Sequence, residues 1–163
     1  MERLEGQGKR SFGVGVRTKK VNRYWCDFCN RAGLSAGHMR VHEKHCTMNP
    51  ARECRVCKLV DGGRDADFVM PPLADLVQML PDPVPFKRTY EGTIVEYFDG
   101  SLAEAAGVVL PALRAAAGDC PACILAAIRQ RGIPVPMVEK FSFGDEMKEI
   151  WNGINEDNAH YRD

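Results

Sequence analysis

A small α+β fold, mostly helical and cross-braced by its cysteines, is what this sequence predicts, on three observations. Six of the seven cysteines form three Cys-x2-Cys pairs, and the seventh, Cys46, stands four residues after His42. Apolar residues recur at helical spacing in several stretches after residue 70, with one short segment patterned as a hairpin. The 163 residues suffice for one modest domain or two very small ones. Four segments are expected: a basic flexible arm over 1–23, a finger over 24–50, a helical domain over 51–140 tied by four cysteines, and an amphipathic helix over 141–163.

The arm mixes Gly6, Gly8, Gly13 and Gly15 with Lys9, Arg10, Arg17, Lys19, Lys20 and Arg23. That composition suits a mobile or partly extended segment, read either as a solvated tail or as a phosphate-contacting arm. Gly13-Val-Gly15 lacks the third glycine and the strand-turn-helix context of a nucleotide loop, and Gly-x4-Gly-Lys-Ser/Thr does not occur.

The finger runs Cys26-Asp-Phe-Cys29, twelve residues, His42, three residues, Cys46. A two-residue gap lets Cys26 and Cys29 grip one ion from a tight turn, while His42 and Cys46 fall on one face of a helix. Two such pairs complete a tetrahedron, the geometry zinc takes. Over residues 24–46 the pattern resembles the C2H2 zinc finger in its C2HC variant. The resemblance implies a ββα unit with Tyr24 at the aromatic position before the first cysteine, Ser35 capping a helix to about Cys46, and Met39 at the core leucine position. Where that family has a large aromatic, four residues after the second cysteine, this chain has Gly33. Leu34, Phe28 and Trp25 are the candidates to fill the space, and the finger is expected to lean on the rest of the protein.

His38 and His45 are rival ligands, the first pairing with His42 in a shorter finger and the second replacing Cys46. His42 with Cys46 keeps the twelve-residue separation and leaves no cysteine over. The base-reading positions of DNA-binding fingers carry over to Ser35, His38 and Val41. This is a weak reading set, because Ser35 serves almost any base and Val41 offers only apolar contact. Arg31, Arg40 and Lys44 suit phosphates, so charge attraction outweighs sequence readout in the expected nucleic-acid contact, which Arg17, Lys19, Lys20 and Arg23 extend.

Seven residues separate Cys46 from Cys54-Arg-Val-Cys57, read as a second tight turn. Asp65-Ala-Asp67 lacks the rest of a calcium-loop pattern. Pro71-Pro72 opens a short helix from Leu73 to Leu80, with Leu73, Leu76, Val77 and Leu80 on one face. Arg88–Tyr90 and Thr93–Phe98 are expected to pair as a hairpin across Glu91-Gly92. Ser101 caps an alanine-rich helix over 102–117 that Pro111 is expected to bend or divide. Asp119 is the expected N-cap of a helix that carries Cys120 and Cys123 in its first turn.

A helix start lowers a thiol's pKa, which suits a metal-bound thiolate and a redox dithiol alike. A thioredoxin-like site needs a strand leading into the motif, and the sequence supplies a helix. A tight-turn pair and a helix-start pair are how treble-clef zinc sites are built, so Cys54, Cys57, Cys120 and Cys123 are the second predicted site. Closing so long a loop, it contributes more to folding than a short clip. In the last segment Met147, Ile150, Trp151 and Ile154 form an apolar stripe, read as core packing or as a docking helix.

The zero net charge conceals an asymmetry: residues 1–58 hold thirteen Lys and Arg against five Asp and Glu, leaving the remainder acidic. No apolar run is long enough to span a membrane and the N-terminus lacks a signal peptide's apolar core, so a reducing, cytoplasmic setting is expected, where paired cysteines serve metals. A lone C2HC-like finger, an adjacent Cys54-x2-Cys57 and a later Cys120-Pro-x-Cys123 resemble small bacteriophage or prophage zinc proteins. That resemblance implies a phage or bacterial origin and work in the host cytoplasm. The expected protein binds two zinc ions and is not an enzyme, because both sites are filled by four protein ligands and no His-Glu-x-x-His accompanies them. Nucleic acid is the expected partner; the alternative is a protein-interaction adaptor or a structural subunit of an assembly. No small-molecule substrate is expected.

Overall fold

The computed structural model describes residues 20–60, 71–98 and 100–160. Arg17, Lys19 and the Asp65-Ala-Asp67 stretch lie outside them. Two short strands open the described chain, β1 (Tyr24–Trp25) and β2 (Ala32–Gly33), paired antiparallel with Tyr24 opposite Gly33. Helix α1 (Ala36–His45) follows. Ser35 caps it as expected, its Oγ accepting from the His38 N–H at 3.4 Å. The helix stops one residue short of Cys46, which serves as its C-cap in an extended conformation rather than as a helical residue.

Met39 fills the space beside Gly33: its Sδ lies 3.5 Å from where a Cβ on Gly33 would stand. Trp25, Phe28 and Leu34 do not fill it and are exposed. The finger's apolar core is therefore small, consisting of Cys26, Met39 and Cys46 with Cys29 and Met48 beside them.

Cys54-Arg-Val-Cys57 departs from the expected tight turn. It starts a helix, α2 (Arg55–Val60), with Cys57 in the first turn and the Cys57 N–H pointing to Cys54 Sγ at 3.5 Å. Helix α3 (Leu73–Met79) follows Pro71-Pro72 and buries Leu76, with Leu80 buried at its end. Strands β3 (Phe86–Tyr90) and β4 (Thr93–Tyr97) form the expected hairpin, with β3 starting two residues earlier and β4 ending one residue sooner than expected. Glu91 and Gly92 both have positive φ, as a two-residue turn of the primed type requires.

Helix α4 (Gly100–Ala117) continues through Pro111 undivided, so of the expected bend or division the division does not occur, and Ser101 lies inside the helix. Its apolar face carries Leu102, Ala106, Leu110, Leu113 and Ala117, all buried. Pro111 sits on the opposite, exposed face, where water can hydrate the carbonyl that proline leaves unbonded. Burial of the other face decides the conformation.

Helix α5 (Pro121–Arg131) is the centre of the body: eight consecutive residues, Pro121 to Ile128, are buried, and the helix packs against α3 and α4. A helix apolar all round belongs inside. Its cap is Cys120, not Asp119. Asp119 has φ 52° and donates its N–H to the Arg114 carbonyl at 2.9 Å, so it closes α4 instead of opening α5. Gly132, at φ 81°, ends α5 in the left-handed conformation glycine tolerates best.

Helix α6 (Phe143–His160) packs on α5 through Met147 and Ile150, while Trp151 is exposed, so only part of the predicted stripe joins the core. Arg114 clamps it, holding the Glu146 carboxylate with both terminal nitrogens at 2.6 and 3.0 Å. Among the described residues, no helix is long and apolar enough to cross a membrane.

Candidate metal centres

The first centre gathers Cys26, Cys29, His42 and Cys46, and the second Cys54, Cys57, Cys120 and Cys123; within each, one ligand atom per residue lies within 4.8 Å of the others. The β1–β2 turn makes the first half of the finger centre. Asn30, at φ 57°, turns the chain back so that the Cys26 N–H meets the Arg31 carbonyl at 2.9 Å. Glu43 holds this turn against α1, its Oε1 accepting the Asp27 N–H at 3.2 Å. From α1, His42 presents Nε2 to the Cys29 sulfur at 3.2 Å.

His45 is turned away from the cluster. Its Nδ1 lies 2.8 Å from the Glu53 carbonyl oxygen. His38 is exposed on the outer face of α1. Neither takes the place of His42 or Cys46 in the cluster.

Two helix starts build the second centre. Cys54 and Cys57 come from α2, Cys120 and Cys123 from α5, and the sulfur separations are 3.6 Å for Cys54–Cys120, 3.4 Å for Cys57–Cys120 and 3.6 Å for Cys57–Cys123. A disulfide needs about 2.05 Å. A tetrahedron built on metal–sulfur bonds of about 2.3 Å has edges of ~3.8 Å, so these sulfurs are spaced as ligands of one ion. The N-terminal dipole of α5 favours thiolate on Cys120 and Cys123.

Without a metal, protonation in the cluster is divided, and neighbouring thiols override the dipole at Cys120 and Cys123. Hydrogen bonds from Cys120, Cys123 and Cys57 push the Cys54 thiol far down, and its partners hold Cys123 far up. In the finger, burial pushes Cys29 up, but the hydrogen bonds from His42 and from the Arg31 backbone outweigh it and leave the thiol at about 7. Burial carries Cys46 up to about 11. Clustered thiols compete to stay neutral, and a divalent cation among them removes the competition. Donor sets of three thiolates with one imidazole, and of four thiolates, fit a soft or borderline metal in both places.

No family model, curated protein or solved structure matches the chain. The candidate site therefore rests on its own geometry.

The seven-residue gap between Cys46 and Cys54 already places the two centres side by side, and long-range contacts show what joins them. Asn49 is buried, donates from Nδ2 to the Glu43 carbonyl at 2.8 Å and accepts the Ala51 N–H at 2.8 Å. Gln130 of α5 reaches the carbonyls of Thr47 and Asn49 at 2.8 and 3.1 Å. Arg52 donates to the Ala122 carbonyl at 2.9 Å and lies 4.0 Å from the Cys123 sulfur. Its positive charge would offset part of the negative charge of four thiolates on a bound metal. These partners stand some seventy or eighty residues apart in sequence, beyond any local pattern.

Of the residues expected to meet nucleic acid, Lys20, Arg23, Arg31, His38 and Arg40 are exposed. Ser35 spends its hydroxyl on the helix cap. Lys44 is held by Glu53 at 2.7 Å, and Lys58 meets the same carboxylate at 2.6 Å. The two ammonium groups draw the Glu53 carboxyl down to about 2.

Proposed function

We propose that the protein is a zinc-dependent binding module without catalytic activity, in which two zinc ions hold a basic finger against a helical body and the finger engages nucleic acid. We read β1, β2 and α1 as a ββα finger of the C2HC type. The four-cysteine centre is a treble-clef-like site in which a second helix start replaces the usual tight turn.

The observation that carries this reading is the closure of both centres by four protein donors each. Such sites are structural, since a catalytic zinc keeps an open position. Glu43, next to His42 in sequence, is occupied in holding the Asp27 turn. The nucleic-acid part rests on Arg31 and Arg40 of the finger and Arg23 just before it, which make no ion pair among the described residues. With Lys20 and the arm's Arg17 and Lys19 they form a phosphate-directed surface. The resemblance to phage and prophage zinc proteins supports a regulatory role in a bacterial cytoplasm.

Binding of fluorescent DNA and RNA duplexes and single strands, followed at rising salt, tests it. Phosphate contacts by Lys20, Arg23, Arg31 and Arg40 alone predict a loss of about a hundredfold in affinity between ~50 and ~200 mM salt, and more if the arm joins. No binding at low salt sinks the reading.

One observation favours the protein-partner alternative. Trp25, Leu34 and Val41 are 58%, 69% and 49% exposed on the finger, an unusual apolar content for a phosphate-binding surface. A partner captured by wild type but not by V41D would select that alternative.

A further inference from the structure

We propose that the outer edge of β4 is a self-association surface, through which two copies of the chain pair β4 against β4, antiparallel, about a two-fold axis at Val95. The proposal is independent of the nucleic-acid reading and does not involve the metal centres.

The β3–β4 hairpin packs chiefly on itself, and its β4 residues are exposed apart from half-buried Val95. Phe86, Ile94 and Tyr97 are 56%, 66% and 49% exposed. A lone two-stranded hairpin is marginal in water, and further strands are what stabilise one. The register decides which groups remain for pairing. Tyr90 faces Thr93 across the two-residue turn, so residues 90, 88 and 86 exchange hydrogen bonds with 93, 95 and 97. Ile94 and Glu96 then point their N–H and C=O groups outward from β4, and Lys87 and Thr89 do so from β3.

The two edges are not equivalent. A two-fold pairing of β3 about Arg88 would set Arg88 against Arg88 of the second copy, a like-charge pair at the closest cross-strand spacing. Pro85 at the entry and Lys87 on the edge further guard that side, as natural edge strands are guarded. Strand β4 has no proline and no cation. Its one charge, Glu96, already meets Lys87 at 3.4 Å.

Pairing β4 about Val95 places Val95 against Val95 and makes Ile94 and Glu96 of opposite copies the hydrogen-bonded pairs. All outward groups at 94 and 96 are satisfied, and no like charges meet. The partner this edge fits is the same edge of a second copy, because the symmetric arrangement uses one surface twice.

Sedimentation of the zinc-loaded full chain over a range of concentrations tests this, with three substitutions at Ile94, an exposed side chain whose N–H points outward. I94E sets a carboxylate against Glu96 of the partner twice per dimer and should weaken association about tenfold. I94K sets an ammonium there and should tighten it about tenfold. I94P removes the outward donor and should abolish it, with zinc content unchanged in all three. A wild-type chain that stays monomeric at every concentration overturns the proposal. So does association that survives I94P, or I94E and I94K shifting it in the same direction.

Discussion

His45 Nδ1 lies 2.8 Å from the carbonyl oxygen of Glu53, so the last residue of the finger helix is bonded to the residue preceding the first cysteine of the second centre. The same Glu53 joins Lys44 of that helix through its side chain. A histidine that looks like a spare ligand is instead a brace between the two centres. H45F should retain two zinc ions per chain and lose about 1 kcal/mol of stability, the net worth of one hydrogen bond. C46S should retain only one ion. Metal analysis of the two variants separates the roles, and a zinc loss in H45F with none in C46S would reverse the assignment.

Cys54 and Cys120 stand 3.6 Å apart although sixty-six residues separate them in sequence. Metal bound between them links α2 to the central helix, and binding energy at such a centre is folding energy, on the order of 10 kcal/mol. C54S should therefore cut zinc from two ions to one and lower the melting temperature more than C46S does. A chelator should melt the wild type's helical circular dichroism, and returned zinc should restore it. Unchanged melting after complete metal removal would show that the apolar core alone holds the body.

Acid should empty the finger centre, and the sign follows from the thiols. Zinc displaces protons from its ligands, so affinity falls as pH falls wherever a ligand is protonated in the free site. Cys46, raised to about 11, is protonated throughout the neutral range and gives a steady dependence. Cys29, held at about 7, adds to it only below that pH. Competition with a chromogenic chelator should show the affinity of the finger centre falling more steeply from pH 7 to 6 than from pH 9 to 8. C54S isolates this centre for the measurement.

Ligand grouping is the most legible feature of the sequence, because Cys-x2-Cys spacing sets each pair and using every cysteine sorts the donors into two sets of four. The hairpin is legible too, since Glu91-Gly92 offers the only two-residue turn between its strands. The helix of Cys54-Arg-Val-Cys57 is not, because its single ligand-bearing turn is short and its conformation is set by the sulfurs it meets from α5. Asp119 reads as a cap from its type alone, yet the closing of α4 claims it first. The docking of Asn49 and Arg52 onto α5 depends on distant partners with no periodic signal. The division at Pro111 fails for a related reason: a local rule meets five buried side chains on the other face of the same helix.

That conflict at Pro111 is measurable. Proline in a helix interior forfeits one hydrogen bond and costs about 3 kcal/mol relative to alanine. Here the residue is exposed and the helix already continues through it, so alanine has nothing to displace and recovers the bond to the Gly107 carbonyl. Some of that gain is lost because alanine leaves the unfolded chain more freedom than proline does. P111A should still be stabilising by about 2 kcal/mol, which for a chain of this size raises the melting temperature by about 6 °C. Zinc content should not change, since neither centre touches this face of α4. A lowered melting temperature would mean that the body is shaped around the proline, and that the continuous helix owes its course to it.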